Sequence, residues 1–346
     1  MSQTLRVPGS TDAQTAWYID LYEETEKLRL LVGLEGGRNA VIHRINELEK
    51  AQGGTVKFGL RRRIDEGFLP SGTDVSGNET ELNTLMDSII IEEKNFGIKD
   101  AGPLSRQVVF YDMDKESKQA LAEQAATNTD REYIDALYTR NDIVFYESGG
   151  TAAITATLAT ATEAVTSADK VSPEMITKLK NFAQSFRGSG FIPLRPVDVG
   201  TGEKAFIFLT NHEALTDMEN DSTFVASQQL ALERSKSNPL FKGSYAYWRG
   251  VIFFVTDNGI QTGTNTSSVP YVHSHFLGAQ ALCSAHATMP EIVEEKDDYG
   301  RKHGMAYLSM WNTGKSKFAT NSGSNMQYGS INVVTATAQL TNLTLS

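Results

Sequence analysis

Ser-Asn-Pro-Leu-Phe-Lys-Gly-Ser-Tyr-Ala-Tyr-Trp-Arg-Gly-Val-Ile-Phe-Phe-Val, residues 237–255, turns twice and ends in a strand without one catalytic-looking group. Asn238-Pro239 and Gly243 break the chain, Arg249-Gly250 makes a second tight corner, and Val251–Val255 is an apolar β run. Worked outward, the same character holds on both sides and describes a chain that builds shape.

Upstream of it lies an α/β module. Lys204–Thr210 reads as a strand, Asn211 as the cap of a helix, and 223–234 as another helix. Ser172-Pro173-Glu174 supplies an N-cap, a proline at the first helical position and an early acid, so a helix runs from there to about Arg187. Residues 148–168, rich in Ala, Thr and Ser, read as a low-complexity connector, and 260–268 as a second polar one. Downstream, Phe276–Ala287 is helix-like and apolar, and Ile331–Leu340 is a Thr/Val-rich strand.

Leu104 to about Arg140 is the longest stretch without glycine or proline. Leu104, Val108, Tyr111, Leu121, Ala125, Tyr133 and Leu137 recur at near-helical spacing. A continuous helix there would be ~55 Å long, a strut rather than a core element. Nearer the start, Asn39–Ala51 reads as a helix with Val41, Ile42, Ile45 and Leu48 on one face, ended by Gly53-Gly54.

A strand over Thr55–Ile64, a polar tip from Asp65 to Asn83 and a return through Met86–Lys99 read as an extended hairpin. Pairing Thr55 near Lys99 places Arg61, Arg62 and Arg63 opposite Glu92 and Glu93, where opposite charges fix register at roughly 0.2–1 kcal/mol per pair.

Composition narrows the function classes. Across 346 residues, 40% are apolar and 21% charged, ordinary values for a globular chain of one or two domains. The single cysteine, Cys283, allows no internal disulfide and reads as a buried small hydrophobe. The start lacks a signal-peptide pattern and no apolar run is long enough to span a bilayer, so a soluble protein made without export is expected. A net charge of −10 argues against tight sequence-independent DNA binding, though not against a shell that surrounds nucleic acid.

Catalytic motifs are incomplete. Gly314-Lys315-Ser316 ends like a phosphate loop, but Ser309 stands where its first glycine belongs. His212-Glu213 begins a metalloprotease motif whose second histidine position holds Thr216, and Gly200-x-Gly202 lacks its third glycine. His273-x-His275 with His286 could ligate zinc, yet no Cys or Asp accompanies them. Asp112 and Asp114 would point to different sides of a helix, and suit its start better than a metal.

The element order, together with several segments, resembles a known family. The segments are Gly54-Thr55-Val56-Lys57-Phe58 into Leu60-Arg61-Arg62-Arg63, Asp87-Ser88-Ile89-Ile90-Ile91, and the helix from Ala120-Leu121-Ala122 to Asp135-Ala136-Leu137. Phe208-Leu209-Thr210-Asn211-His212, Ser237 to Gly243, Leu277 to Ala281, Asp298-Tyr299-Gly300, Trp311 and Lys315-x-Lys317-Phe318 follow in order. Over residues 40–335 the chain is similar to major capsid proteins of tailed bacteriophages with the HK97-like fold, and within them to the coat proteins of the N-four type.

The resemblance implies an α+β chain: an N-terminal arm with helices (1–54), an extended hairpin or E-loop (55–100), a spine helix with part of the peripheral domain (101–190), an axial domain (191–260), and a return to the peripheral domain with C-terminal strands (261–346). It implies hexamers and pentamers tiling an icosahedral shell around double-stranded DNA, assembled in the host cytoplasm. Scaffolding, portal and decoration proteins are the implied partners, with no cofactor and no membrane. Arg61, Arg62, Arg63, Glu92 and Glu93 are then expected at an intersubunit contact. Two alternatives remain: an encapsulin-like nanocompartment shell, and a metal-dependent enzyme using His273, His275 and His286.

Overall fold

A computed structural model describes residues 39–45, 54–61, 69–71, 74–76, 84–99, 113–139, 143–185, 194–198, 204–231, 246–315, 317–319, 325–327 and 329–337. It is mixed helix and strand, organised around two main sheets joined by one long helix.

The larger sheet is nine-stranded. It holds β6 (Val144–Ser148), β7 (Thr151–Thr155), β8 (Val197–Asp198), β9 (Lys204–Thr210), β10 (Ala246–Trp248), β11 (Val251–Val255), β12 (Thr262–Thr264), β13 (Pro270–Leu277) and β18 (Ser330–Ala336). Its main order is β10-β11-β9-β13-β18-β6-β7, with β12 beside β13 and β8 beside β9. The stretch Val251–Val255 is buried at every position and runs parallel to β9, itself buried after Lys204. Continuous apolar runs belong to strands covered on both faces. Phe206 stacks on Phe276 at 5.1 Å and Phe208 meets Phe253 edge-on at 5.4 Å, which fixes the centre of the main core. Trp248-Arg249-Gly250-Val251 is the tight corner expected, with Arg249 at φ 45°.

Helix α3 (Pro173–Gln184) covers this sheet through Met175, Ile176, Leu179 and Ala183. Its start is as the sequence indicates: Ser172 Oγ accepts from Met175 N at 3.2 Å and Pro173 occupies the first turn. Ser172→Ala should therefore lower stability by about 1 kcal/mol in a urea titration; an unchanged midpoint would mean that the cap is replaced by other partners. Asn211 caps α4 (His212–Glu219) in the same way, accepting from Ala214 N at 3.0 Å, and α5 (Ser222–Ala231) follows.

The second sheet has five strands: β1 (Ile42–Ile45), β14 (Leu282–Asp297), β15 (Lys302–Gly314), β4 (Glu92–Glu93) and β5 (Phe96–Lys99). Helix α1 (Met113–Tyr138) lies along it, ~39 Å long. Its inward residues include Leu121, Ala125, Tyr133 and Leu137, as the spacing requires; the expected beginning at Leu104 lies outside the described residues. Tyr133 packs on Trp311 at 5.7 Å, and Lys118 pairs with Glu294 at the exposed flank. The end of α1 enters the larger sheet: Tyr138 Oη donates to His273 O at 3.0 Å and accepts from Gln261 N at 2.9 Å. The buried Lys315 donates to Leu137 O at 3.3 Å and Asn332 Oδ1 at 3.4 Å, joining the end of β15 to helix and sheet. No helix among the described residues is long and apolar enough to cross a membrane.

Four readings of local structure are corrected. Ile42–Ile45 is a strand parallel to β14, not part of a helix: Val41, Ile42 and Ile45 are β-branched and find partners at Leu282–Ala285. Phe276–Ala287 is the end of β13, a turn and the start of β14 rather than a helix. At Gly278 a side chain would meet Arg195 O at 2.6 Å, and Gln280 takes φ 60°, so the chain turns sharply between the sheets there. The supposed connector 148–168 holds the turn and second strand of the β6–β7 hairpin and helix α2 (Leu158–Ala164). Its small residues let α2 sit close on the sheet, with Ala161 and Val165 packed against Val144, Val334 and Ala336. Likewise 260–268 includes β12, and Asn265 pins the loop through Thr162 O, Val165 O and Val269 N.

Candidate functional site

Beyond the two sheets, β2 (Thr55–Arg61) and β3 (Thr84–Ile90) form a separate hairpin, and β16 (Lys317–Ala319) with β17 (Asn325–Gln327) another. In the first, Thr55 faces Ile90 and Arg61 faces Thr84. Alternation then gives it two faces. Val56 and Ile89 are buried against Ile45, Cys283 and Ala285, which roots the ribbon on the second sheet. Met86 and Ile90 point the other way, 73% and 65% exposed, with Ser88 between them. The ribbon is thus anchored on one side, and on its open side Met86 and Ile90 stand beside Thr55, Lys57 and Ser88.

Glu92 and Glu93 do not lie across this ladder as expected, and Arg61 faces Thr84 instead. The chain leaves the hairpin at Ile91, whose N–H donates to Gly54 O at 2.9 Å, before either glutamate is reached. Glu92 and Glu93 instead pair with Trp311 and Met310 of β15, and Phe96–Lys99 continues along the same strand. Lys94, between them and α1, bonds Glu132 at 2.9 Å and lies 3.4 Å from Glu92. Arg62 and Arg63 lie outside the described residues. Met86 and Ile90 are the residues that sequence reasoning passed over; the run Ile89-Ile90-Ile91 carried the signal, since consecutive apolar residues on a strand occupy both faces.

The three histidines do not converge. His273 and His275 lie on β13 beside the Tyr138 ring, at 6.2 and 4.5 Å, while His286 on β14 stacks on Trp311 at 5.7 Å. His275 Nδ1 donates to Asn332 Oδ1 at 2.9 Å, His273 Nε2 sits 3.2 Å from Thr162 Oγ1, and His286 Nε2 is 2.9 Å from Ser284 Oγ. Burial pushes their pKa values down to about 4 for His273, about 3 for His275 and about 4 for His286, with the Lys315 charge adding to the effect at His275. Among the described residues no three His, Cys, Asp or Glu side chains are placed to hold a metal ion. Lys315 of the truncated phosphate-loop motif is buried under α1, and Gly200 and Gly202 lie outside the described residues.

A cleft of about 540 Å³ opens between the β6–β7 turn, α3 and α4. Its charges serve one another: Lys178 pairs with Glu147 at 3.1 Å and Glu174 at 3.0 Å, and Lys170 with Asp217 at 3.3 Å. Burial raises the Glu147 pKa. At Asp169 burial is outweighed by hydrogen bonds from Thr166, Gly150 and Gly149, which hold the carboxyl below its usual range. This arrangement orders a turn.

Comparison with known proteins points one way. The family described as phage capsid protein matches residues 133–339. The major capsid protein of Pseudomonas phage KPP25 is 27% identical over 191 residues, which cover 51% of this chain; the match spans about half (48%) of that relative. The capsid of Ralstonia phage GP4 superposes with a TM-score of 0.76 at 22% identity, over 98% of this chain and 99% of the other. The capsid of Cyanophage Pam1 gives 0.72 at 19% identity, over 97% and 100%.

Proposed function

The chain belongs to the phage capsid protein family and has the HK97-like fold, and on that premise we propose that it is a major capsid subunit which self-assembles as hexamers and pentamers into the icosahedral head of a tailed double-stranded DNA phage. The observation that carries this reading is the β2–β3 ribbon, rooted by Val56 and Ile89 and offering Met86 and Ile90 outward. A ribbon built this way is rooted in its own subunit through one face and offers the side chains of the other to a neighbour. Many such contacts, each modest, give a lattice large collective stability.

In this reading the ribbon is the E-loop, α1 the spine helix, the second sheet the peripheral domain and the larger sheet the axial domain, which then draws β6, β7, β13 and β18 from outside the expected range 191–260. Assembly takes place in the host cytoplasm, with scaffolding, portal and decoration proteins as further partners. DNA is enclosed with weak contacts, in keeping with the net charge of −10.

Sedimentation velocity with electron microscopy on the full chain tests the proposal. Particles of megadalton mass with a hexagonal surface lattice are expected. Monomer alone, persisting when a scaffolding protein is co-expressed, would count against it.

Arg61, Arg62 and Arg63 remain candidates for contact with Glu92 and Glu93 of a neighbouring copy, since Glu92 and Glu93 pair with β15 and Arg61 faces Thr84 in the hairpin. Reversing all three arginines to glutamate should reduce particle yield at least tenfold and leave the subunit's melting temperature unchanged. Normal particle yield from this variant would remove the arginines from the interface.

A further inference from the structure

Tyr299 holds an unfavourable backbone conformation that serves nothing in its own subunit. It sits at the tip of the β14–β15 hairpin, in a turn closed by Arg301 N donating to Asp298 O at 3.1 Å. The two central residues, Tyr299 and Gly300, take φ 54° and 83°. Positive φ at both central positions is the type I′ pattern, whose first position normally holds Asn, Asp or Gly. A bulky side chain there is an outlier. The Tyr299 side chain is 106% exposed, so its ring touches no other part of the subunit. The turn is held without it: Asp297 Oδ1 accepts from Asp298 N at 2.8 Å, Lys99 pairs with Asp297, and Arg301 lies 3.8 Å from the Asp298 carboxylate. A strained residue idle inside the fold is kept for something outside it.

Position decides what the ring meets. β14 leaves the Gly278–Gln280 turn between the two sheets and runs for 16 residues, a length of ~50 Å. Tyr299 therefore stands at the end of the second sheet farthest from the larger one. In the shell reading the larger sheet gathers about five- and six-fold axes, which puts that end on the rim of each pentamer or hexamer. Closed shells join these units rim to rim, so the ring's neighbour is a second copy in the adjoining unit. Charge agrees with this occupant. Asp297 and Asp298 are interspersed with Lys99, Arg301 and Lys302, so two such tips offer opposite signs to each other rather than one repelling field. A tyrosine supplies large contact area with little side-chain freedom to lose, the character of an interface anchor.

We propose that Tyr299 anchors each pentamer or hexamer to the next by seating its ring on another copy of this chain. The proposal rests on the shell reading and places a contact at the opposite end of the second sheet from its junction with the larger one.

Tyr299→Asn tests it on the full chain, because it puts a residue suited to the turn in place of one that is not. The subunit's melting temperature should stay the same or rise, while the yield of closed shells, counted by electron microscopy, should fall about tenfold or more. Tyr299→Phe keeps the ring and should assemble within about twofold of the unaltered chain. A lower melting temperature for Tyr299→Asn, a normal shell yield from it, or an equal loss in both variants would overturn the proposal. Hydroxyl-radical footprinting of the unaltered chain is an independent measurement. Tyr299 should be oxidised about tenfold or more slowly in shells than in dissociated subunits, since anchors are shut off from water, and equal rates would overturn the anchor. The unaltered chain is scored alongside. If it forms no shells, the anchor and the shell reading fall together; equal shells from it and from Tyr299→Asn remove the anchor alone and leave the shell reading standing.

Discussion

Replacing Met86 and Ile90 together by aspartate is expected to leave a folded chain that forms no particles. Both side chains stand on the open face of the β2–β3 ribbon, opposite the Val56–Ile89 root. Surface substitutions away from packing usually move stability by less than ~0.5 kcal/mol, so the subunit's thermal melt should be almost unchanged. In an assembled lattice the same positions would be covered. Burying a Met or Ile side chain contributes about 1.5–3 kcal/mol, and burying an unpaired carboxylate in its place costs more than that. Because the loss recurs in every subunit, assembly should fail outright rather than weaken. Val56→Asp is the matching variant on the other face, and should unseat the ribbon from Ile45 and Ala285 and lower the melting temperature. Abundant regular shells from the Met86/Ile90 variant would show that this face carries no contact.

Acid should unfold the chain well above the pH at which carboxylates alone would do so. His273, His275 and His286 are held neutral in the fold, with pKa values of about 4, about 3 and about 4, against 6.5 when exposed. Between these limits the unfolded chain binds more protons than the folded one, so stability rises with pH there. The stabilisation is complete above pH 6.5 and is lost as the pH falls towards 4. Summed over three residues the loss is on the order of several kcal/mol, comparable with the whole stability of a domain. Glu147 works the other way: its raised pKa means that protonation relieves a cost of burial, which offsets a small part of the loss. Urea midpoints at pH 7, 5.5 and 4.5 should fall steeply, and His273→Gln should flatten that slope by about a third. A flat profile across this interval would mean that the histidines are solvated in solution.

Elements defined by local chemistry were legible in the sequence. Ser172-Pro173 and Asn211 state where helices begin, and the apolar run Val251–Val255 declares a strand covered on both faces. The order of elements carried the family resemblance. Where the partner decides the structure, local pattern misled. Val41, Ile42 and Ile45 fit one helical face as well as a strand, and only β14 settles the matter. Ala279, Ala281 and Ala285 look helical, yet their small size serves close passage between two sheets. The hairpin register followed charge complementarity in the sequence reading, whereas the root contacts of Val56 and Ile89 with the second sheet set it in the fold. At the candidate site the same bias favoured charged residues over Met86 and Ile90. Charges are conspicuous in a sequence, whereas an exposed apolar face becomes visible only when the opposite face is known to be buried.

The long helix α1 is fastened unevenly. Tyr133, Ile134, Ala136 and Leu137 are buried near its end, where Tyr138 and Lys315 tie it to the larger sheet. Towards its start the buried side chains thin to Leu121 and Ala125, and Lys118–Glu294 is an exposed ion pair that contributes little. Mechanically it is a cantilever, clamped at one end and lightly stitched along the rest. A sideways load on the second sheet would peel the lightly held half first and swing the rod about its clamp, and dissolved salt, by screening the stitch, would soften the beam without loosening its mount.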